Sequence, residues 1–280
     1  MSFSPEWLAL REPADHAAVN AHLRDSLRAH FSGRDLVRVV DLGCGTGSNL
    51  RGTWPVLAAN QSWTLVDHDP KLLAAAKSRL TAFGNDAAVS MEGLRLTLPG
   101  AAIDVCFKPS DLSRDDLGTI VDGADLVTAA ALFDLASVKL INALADAIAA
   151  RRQTFFTVLT YDGIAAWLPE HPADAAMRDA FNAHQRGDKG FGPALGPAAT
   201  DALEQAFQAR GYHVARGKSP WVLGRRYLQL RRELDRGFAG AVAETGRVPS
   251  ADIDGWLAQR LAIDDAVTII GHEDLLAVPA

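Results

Sequence analysis

Residues 37 to 50, VRVVDLGCGTGSNL, constrain the fold of this chain more than any other stretch. An apolar run ends at Asp41, and glycines then stand at every second position, Gly43, Gly45 and Gly47. This pattern predicts a buried strand, a tight turn and a helix start. Because glycine has no Cβ, its backbone can take positive φ angles and approach a ligand closely. The segment therefore predicts the first strand, turn and helix of an α/β fold, with the turn binding a ligand.

The acid before the turn limits what this ligand can be. Unpaired N–H groups at the start of a helix usually bind anions, but Asp41 would repel a pyrophosphate. A ligand that carries an amino group and a sulfonium suits such a carboxylate. The alternative is a Rossmann dinucleotide site, because Gly43, Gly45 and Ser48 approximate G-x-G-x-x-G with a defective third position.

The sequence DLGCGTG after an apolar strand resembles the first motif of the class I S-adenosylmethionine-dependent methyltransferases, acid-x-Gly-x-Gly-x-Gly. The resemblance implies an α/β fold with a doubly wound, mostly parallel seven-stranded sheet whose last strand is antiparallel. It implies transfer of the methyl group of S-adenosylmethionine to an acceptor, with S-adenosyl-L-homocysteine as the product. It also implies that Asp41, the three glycines and Asn49 contact this cofactor.

A second apolar run, WTLVD, ends in Asp67. This acid lies about 20 residues beyond the glycine turn, the distance at which a second strand presents a carboxylate to ribose hydroxyls. We therefore place Asp67 and the adjacent His68 at the cofactor. Proteins that bind NAD also have an acid here, so Asp67 indicates a nucleoside without identifying it. Asp69 before Pro70 is typical of a helix N-cap, and Gly84 is expected to end that helix.

Composition favours an enzyme that acts on small molecules. The chain has 280 residues, 48% of them hydrophobic, which allows one domain over residues 1–280 with substrate-facing additions. The net charge is -6 and no basic stripe is present, so the sequence has no electrostatic footprint for nucleic acid or for an anionic membrane. The expected partner is a small-molecule substrate, and the oligomeric state is left open.

Cysteine usage and apolar runs bear on the compartment. The two cysteines form no C-x-x-C pair, and we find no zinc-ligand spacing and expect no metal. The N-terminus lacks the features of a signal peptide, and no apolar run reaches the roughly 18 residues of a membrane span. We therefore expect a cytoplasmic protein.

The third strand is expected at Ile103 to Phe107, with a hairpin formed together with Leu94 to Leu98. In the family that the chain resembles, an Asp-hydrophobic pair after this strand binds adenine. Asp111 and Leu112 match that pair. The competing interpretation of Asp111 is a turn or N-cap acid.

The N-terminal segment, residues 1–33, is predicted to form one amphipathic helix that starts near Asp15 and ends near Gly33. In many class I methyltransferases this segment folds over the bound cofactor. Arg11 is therefore a candidate partner of the methionine carboxylate, which an arginine binds with two hydrogen bonds. The alternative is a surface arginine that pairs with Glu12 or Asp15.

The resemblance to the methyltransferase family implies that residues after the fourth and fifth strands lie beside the transferred methyl group. DLVTAAAL is the predicted fourth strand, and Phe133 and Asp134 follow it. QTFFTVLT is the fifth, and Tyr161 and Asp162 project from its end. Asp134 has the competing interpretation of a helix-start acid. We assign Phe133 and Tyr161 to the substrate, and Asp134 and Asp162 to proton removal.

Two insertions, residues 161–196 and 220–265, are predicted to form a helical lid at the carboxyl edge of the strands, because a connection this long is usually functional or disordered. Within the first insertion, HQRGDKGFG mixes both charges between glycines. We expect acceptor recognition here, with His184 also a candidate base. The alternative is a solvated, mobile loop. The polar candidates are Asn182, His184, Asp188 and Lys189.

The activity predicted from the sequence is transfer of a methyl group to an oxygen, nitrogen or carbon atom of a small molecule. Such a reaction needs positioning and exclusion of water, and a general base is optional. The alternatives are a non-catalytic protein that senses S-adenosylmethionine, and a nicotinamide-dependent oxidoreductase.

Overall fold

The strand order of the sheet matches the fold expected from the resemblance. The computed structural model describes residues 3–89 and 93–280, and these form a ten-stranded sheet in the order β3-β4-β5-β2-β1-β6-β7-β10-β8, with β9 paired to β10. The strands are β1 Leu36–Leu42, β2 Asn60–Asp67, β3 Asp86–Val89, β4 Leu94–Leu98, β5 Ala101–Pro109, β6 Leu126–Ala130, β7 Thr154–Leu168, β8 Tyr212–Lys218, β9 Trp221–Leu223 and β10 Val267–Pro279.

Five neighbouring strands, β5, β2, β1, β6 and β7, are parallel, and β10 runs antiparallel to both β7 and β8. The mostly parallel sheet with an antiparallel last strand is therefore confirmed. Three short strands, β3, β4 and β9, enlarge the predicted seven-stranded sheet. The predicted hairpin is present, because β4 pairs antiparallel with β5 through Leu94 and Val105.

Helices cover both faces of the sheet. They are α1 Pro5–Ala18, α2 Ala21–His30, α3 Ser48–Thr53, α4 Pro70–Phe83, α5 Leu117–Val121, α6 Val138–Ala149, α7 Asp174–Gln185, α8 Ala199–Gln208, α9 Leu228–Thr245 and α10 Ser250–Ala262. Side chains alternate across β1, with Val37 and Val39 in one core cluster and Val40 and Leu42 in the other. Burial on both faces is typical of parallel strands covered by helices.

The N-terminal prediction of one helix from Asp15 is wrong. Two helices are present, and Asp15 lies inside α1, where it pairs with Arg11. The cap of α2 is Asn20, whose side chain accepts a hydrogen bond from the Leu23 backbone at 3.1 Å. The periodicity of apolar residues continues across the break between α1 and α2, which explains the error.

The predicted end of β7 at Thr160 is also wrong, because the strand continues to Leu168. Its extension pairs with the start of β10, from Leu168 opposite Val267 to Tyr161 opposite His272. Part of the first insertion is therefore strand. Together with the start of β10, it extends the sheet past the carboxyl ends of the parallel strands.

Beside this extension lie α7, α9 and α10, which fall in the two insertions predicted to form a lid; we call them the helical lid after that prediction. Phe181 of α7 stacks on Phe238 of α9 with ring centroids 3.9 Å apart. Trp167, in the extension of β7, meets Phe238 at 5.1 Å and Trp256 of α10 at 5.2 Å. The lid is thus attached to the sheet by aromatic packing. Within the described ranges, no helix is both long and apolar enough to cross a bilayer.

Candidate active site

The glycine turn after β1 adopts the backbone conformation that its sequence requires. Gly43, Gly45 and Gly47 have φ angles of 63°, 53° and 76°. Such angles are unfavourable for residues with a Cβ. A Cβ at Gly45 would lie 3.0 Å from Cδ1 of Leu8 in α1. The turn is therefore narrow, and the N-terminal helix lies against it.

Asp67 joins the end of β2 to this turn. Its Oδ2 accepts a hydrogen bond from the Gly45 backbone at 2.9 Å, and its Oδ1 accepts one from the Asp69 backbone at 2.9 Å. His68 is exposed, with Nδ1 3.4 Å from Oδ1 of Asp67. Each carboxylate oxygen has two acceptor sites, so Asp67 retains capacity for a ligand.

Asp41 is fully buried at the end of β1, and one of its oxygens has no protein partner. Its Oδ1 accepts a hydrogen bond from Asn49 Nδ2 at 2.8 Å. Among the described residues, none bonds to its Oδ2. Burial raises the pKa of Asp41 to about 7; the Asn49 hydrogen bond opposes this shift and the charge of Asp67 adds to it. A buried acid of this kind is suited to a cationic ligand.

A cavity of about 340 Å³, which we call the first cavity, lies at the carboxyl ends of β1, β2, β5 and β6. Its lining includes most of the predicted cofactor residues: Arg11, Asp41, Gly43, Gly45, Asn49, Asp67, His68, Asp111 and Leu112. Gly47 lies behind the lining and begins α3. The structure therefore brings these residues together at one edge of the sheet.

Asp111 is partly exposed and forms a turn as well as lining the first cavity. Its Oδ1 accepts hydrogen bonds from the Ser113 backbone at 2.9 Å and from the Ser113 hydroxyl at 2.6 Å. These hydrogen bonds lower the pKa of Asp111. Leu112 is buried beside it. Both interpretations of Asp111, an adenine contact and a turn acid, are compatible with this placement.

Arg11 is paired with Asp15, but it is not a surface residue. Its Nε lies 2.8 Å from Oδ2 of Asp15, and both side chains are only 12% exposed. Its guanidinium lies 4.9 Å from the ring centroid of Trp221. Glu12, the other predicted partner, pairs instead with Arg51. Arg11 thus lines the first cavity and also a second, neighbouring cavity.

The second cavity, of about 470 Å³, lies between the helical lid, the extension of β7 and the N-terminal helix α1. It meets the first cavity at a set of residues that line both, which we call the junction: Phe3, Arg11, Ala131, Leu135, Leu159 and Lys189.

Two junction residues have strained backbones. Ala131 and Leu159 have φ angles of 51° and 61°, although neither is glycine. The Ala131 N–H donates to the Val158 carbonyl at 2.9 Å, so the two strained residues lie side by side after β6 and within β7. Strain of this kind costs about 1 to 3 kcal/mol per residue and is concentrated at functional sites.

Three predicted polar residues meet at or near the junction. Asp134 lines the second cavity and is 9% exposed, and burial raises its pKa to about 6 against the opposing charges of Arg11 and Lys189. Lys189 is buried with Nζ 3.2 Å from Nδ1 of His184, and burial lowers its pKa. The Nε2 of His184 is 3.0 Å from Glu244.

Tyr161 and Asn182 form a pair in the wall of the second cavity. The Tyr161 hydroxyl donates to Asn182 Oδ1 at 2.8 Å, and Asn182 Nδ2 donates to the Gly163 carbonyl at 3.0 Å. Burial raises the pKa of Tyr161. Tyr161 lines the cavity, whereas Asn182 orients its hydroxyl from behind.

Besides Gly47 and Asn182, three predicted site residues line neither cavity. Phe133 is 1% exposed and packs against Phe155 in the core, because the side chain after β6 turns toward α8. Asp162 pairs with Lys218 at 3.0 Å. Asp188 accepts hydrogen bonds from the backbones of two loop glycines, at 2.7 and 3.1 Å. The structure gives each of these a structural contact.

No family model matches the chain, and no curated protein does. Several solved structures are similar to this chain. A SAM-dependent methyltransferase from Geobacter sulfurreducens, in complex with S-adenosyl-L-homocysteine, is 17% identical, with 100% of both chains covered and a TM-score of 0.46. One from Thiobacillus denitrificans, in the same complex, is 17% identical, covering 99% of this chain and 100% of that chain, with a TM-score of 0.48.

The YcgJ protein from Bacillus subtilis is 14% identical, with 93% of this chain and 100% of that chain covered and a TM-score of 0.49. All three TM-scores are below 0.5, so these likenesses carry no argument about function.

Sequence reasoning missed His272, Trp221 and Trp7, which also line the second cavity. His272 is 6% exposed in β10, and Trp221 is 4% exposed in β9. A signal for His272 was available, because HED interrupts a run of otherwise apolar residues in the last strand. Trp221 stands in a short strand whose pairing with β10 has no local signal. Within residues 3–89 and 93–280, no cluster of three potential metal ligands is found.

Proposed function

We propose that this protein is an S-adenosylmethionine-dependent methyltransferase that acts on a small molecule. The observation that carries the proposal is the junction, where a cavity lined by the glycine turn meets a second cavity under the helical lid. A donor held in the first cavity would meet an acceptor held in the second at this junction. The junction lies at the carboxyl edge of the sheet, where ligands of open α/β sheets bind.

The residues of the first cavity fit the cofactor. Asp41 offers a buried oxygen that has no hydrogen-bond partner among the residues the structure describes, and this oxygen suits the amino group of the methionine moiety. A Cβ at Gly45 would lie 3.0 Å from the Leu8 side chain, and the φ of 53° is unfavourable for a residue with a Cβ, so the backbone of this turn suits close approach of a ligand. Asp67 is held by the turn and keeps acceptor sites for ribose hydroxyls. Asp111 and Leu112 stand beside these at the expected adenine end.

When bound, S-adenosylmethionine supplies a methyl group on a positively charged sulfur. The chain then has to position an acceptor at the junction and exclude water, which together lower the barrier substantially. Leu135 and Leu159 provide apolar surface there. The lid residues Phe181 and Phe238 provide it farther into the second cavity.

Asp134 is the proposed proton acceptor when the methylated atom is a hydroxyl or an N–H. It is the carboxyl group with a raised pKa in the second cavity, and a value of about 6 keeps it mostly ionised at neutral pH. A base whose pKa lies close to the operating pH is suited to general catalysis. His184 is held between Lys189 and Glu244, so we propose that it positions the Lys189 ammonium at the junction.

A small acceptor is proposed because the second cavity is bounded by α1, the lid and the extension of β7, and because the net charge of -6 provides no basic surface for nucleic acid.

Calorimetry tests the cofactor assignment. We expect the protein to bind S-adenosylhomocysteine and not NAD, and Asp41→Asn to weaken the binding at least about tenfold because a charge-assisted hydrogen bond is lost. Asp35 is exposed at the start of the same strand, so Asp35→Asn is the matched control. Binding of NAD alone, or equal affinities of both variants, contradicts the proposal. Incubation with labelled methyl donor and fractionated metabolites then tests transfer, and absence of any labelled product contradicts an enzyme.

A further inference from the structure

His272 is a buried polar residue that the reaction proposed above does not use. It lies in β10 opposite Tyr161, it is 6% exposed, and it lines the second cavity. Among the described residues, none forms a hydrogen bond to its Nδ1. Buried polar atoms of side chains are nearly always hydrogen-bonded. Nδ1 of His272 is therefore a candidate to form a hydrogen bond with a ligand in the cavity.

The ring of His272 is neutral. Burial lowers its pKa to about 3, the charge of Arg11 lowers it further, and the backbone of Ser219 acts in the opposite direction. A neutral imidazole has one donor and one acceptor nitrogen, and either can be Nδ1. A hydroxyl group can donate or accept a hydrogen bond, so it satisfies Nδ1 in both tautomers. A carbonyl or an ammonium satisfies it in only one.

Aromatic rings form much of the cavity wall around His272. Trp221 meets His272 edge-on with centroids 5.1 Å apart, and Tyr161 does so at 6.4 Å. Because the Tyr161 hydroxyl is bonded to Asn182, the residue presents its ring to the cavity. Phe181 and Phe238 continue this surface in the lid. Rings arranged in this way favour a planar aromatic ligand, which can pack edge-on or offset against them.

Charges in the same wall are compensated by neighbouring groups. Arg11 is bonded to Asp15 by two nitrogen atoms, and Glu233 accepts a hydrogen bond from Arg236 at 2.8 Å. Lys189 is faced by the negative charges of Glu244 and Asp134. Asp134, the other carboxyl group of this wall, is faced by the positive charges of Arg11 and Lys189. A charged ligand would therefore have to leave water without a free counter-charge, which is unfavourable. The wall therefore favours an uncharged ligand.

We infer that the second cavity takes an uncharged aromatic acceptor that bears a hydroxyl group, and that Nδ1 of His272 binds this hydroxyl. The inference rests on the proposed function, because it names the acceptor class of that reaction. His272 acts here as a specificity-determining residue, and Asp134 remains the proton acceptor.

Binding of matched probes to the protein saturated with S-adenosylhomocysteine tests the inference. The pairs are p-cresol with toluene and naphthol with naphthalene, and naphthoate and naphthylmethylamine serve as charged probes. We expect at least one hydroxyl probe to bind about fivefold or more tighter than its hydrocarbon, as one added hydrogen bond predicts, and tighter than both charged probes.

Two variants of His272 then test whether this residue causes the preference for hydroxyl probes over hydrocarbons. His272→Phe keeps a ring and removes both nitrogens, so the preference for the hydroxyl should fall to within about twofold. His272→Asn keeps polar atoms near the Nδ1 position and should retain part of the preference for the hydroxyl. The control is His213→Phe, which changes an exposed histidine of β8 and should leave the preference intact.

Equal affinities within each pair, failure of all probes to bind, or tighter binding of a charged probe overturns the inference. So does a preference that survives in His272→Phe. Each variant is first titrated with S-adenosylhomocysteine alone. Failure of that titration in the unchanged protein counts against the proposed function, whereas normal titration with a lost or absent hydroxyl preference counts only against the acceptor class.

Discussion

The protonation of Asp41 should control cofactor affinity. The carboxylate that is proposed to bind an amino group has a pKa of about 7, raised by burial, and its neighbours are Asn49, Asp67 and the thiol of Cys44. Because the raised value means that Asp41 is protonated below about pH 7, the ion pair with a cationic ligand is available only above that pH. Affinity for S-adenosylhomocysteine should therefore fall roughly tenfold per pH unit as the pH drops below about 7.

Titration calorimetry over a series of pH values measures this dependence. In Asp41→Asn the affinity should be lower and nearly independent of pH in the same range. A slope that persists in Asp41→Asn would assign the titration to another group.

Asp67 has two roles, and its replacement should affect both. Its carboxylate holds the backbone N–H groups of Gly45 and Asp69, and it is also the proposed acceptor of ribose hydroxyls. Asp67→Ala should weaken binding of S-adenosylhomocysteine at least about tenfold and also lower the stability of the free protein by about 1 to 3 kcal/mol, because buried donors lose their acceptor. Binding and chemical denaturation measure the two effects. Unchanged affinity with lowered stability would leave Asp67 with the structural role alone.

Asp134 should determine the rate of transfer to a hydroxyl or N–H acceptor. Asp134→Asn should reduce kcat by about 100-fold to 10,000-fold while affinity for S-adenosylhomocysteine stays within about threefold. In the unchanged protein the rate should rise with pH and level off above about 6, since the ionised carboxylate is the active form. The charged groups that face it are Arg11 and Lys189.

Asp162→Asn is the matched control, because Asp162 was an equal candidate in the sequence but pairs with Lys218 outside both cavities. If this control lost as much activity as Asp134→Asn, Asp162 would have to be counted as an active-site residue.

At the scale of elements, the sequence predicted what local patterns encode. The strands β1, β2 and β8 and the helix after the Asp69 cap have their expected positions, because apolar runs, glycines and capping residues specify them within a few residues. The extension of β7 was not predicted, and α7 was predicted only as part of a helical lid, without bounds. IAAWL forms strand only because β10 pairs with it, and this partner lies about a hundred residues farther along the chain.

The aromatic contact between α7 and α9 should stabilise the lid and shape the second cavity. Phe238 is 2% exposed and packs against Phe181, Trp167 and Trp256. Phe238→Ala should lower the free energy of unfolding by about 3 to 5 kcal/mol, as truncation of a buried ring does.

Urea denaturation measures this loss, and Phe83→Ala, at the exposed end of α4, is the control. The affinity for S-adenosylhomocysteine should be retained in Phe238→Ala, because Phe238 does not line the first cavity. Loss of cofactor binding in the folded variant would contradict the separation of the two cavities.

At the scale of the whole molecule, the sequence predicted the two ends of the site and not their connection. The cofactor residues come from consecutive turns after strands, so their meeting at one edge follows from the fold. The junction is different, because Arg11, Leu159 and Lys189 come from α1, β7 and the loop after α7. Their proximity depends on how three distant segments pack. His272 was missed for the same reason, since its role depends on the lid that covers it.

The central claim is that the first cavity holds the methyl donor and opens at the junction onto the acceptor. A crystal structure of the complex with S-adenosylhomocysteine tests this most directly. The account predicts the amino group of the ligand beside Asp41 and its sulfur within about 4 Å of the junction residues, Ala131 or Leu159 among them. A ligand bound in the second cavity, or a sulfur that faces away from the junction, would contradict it.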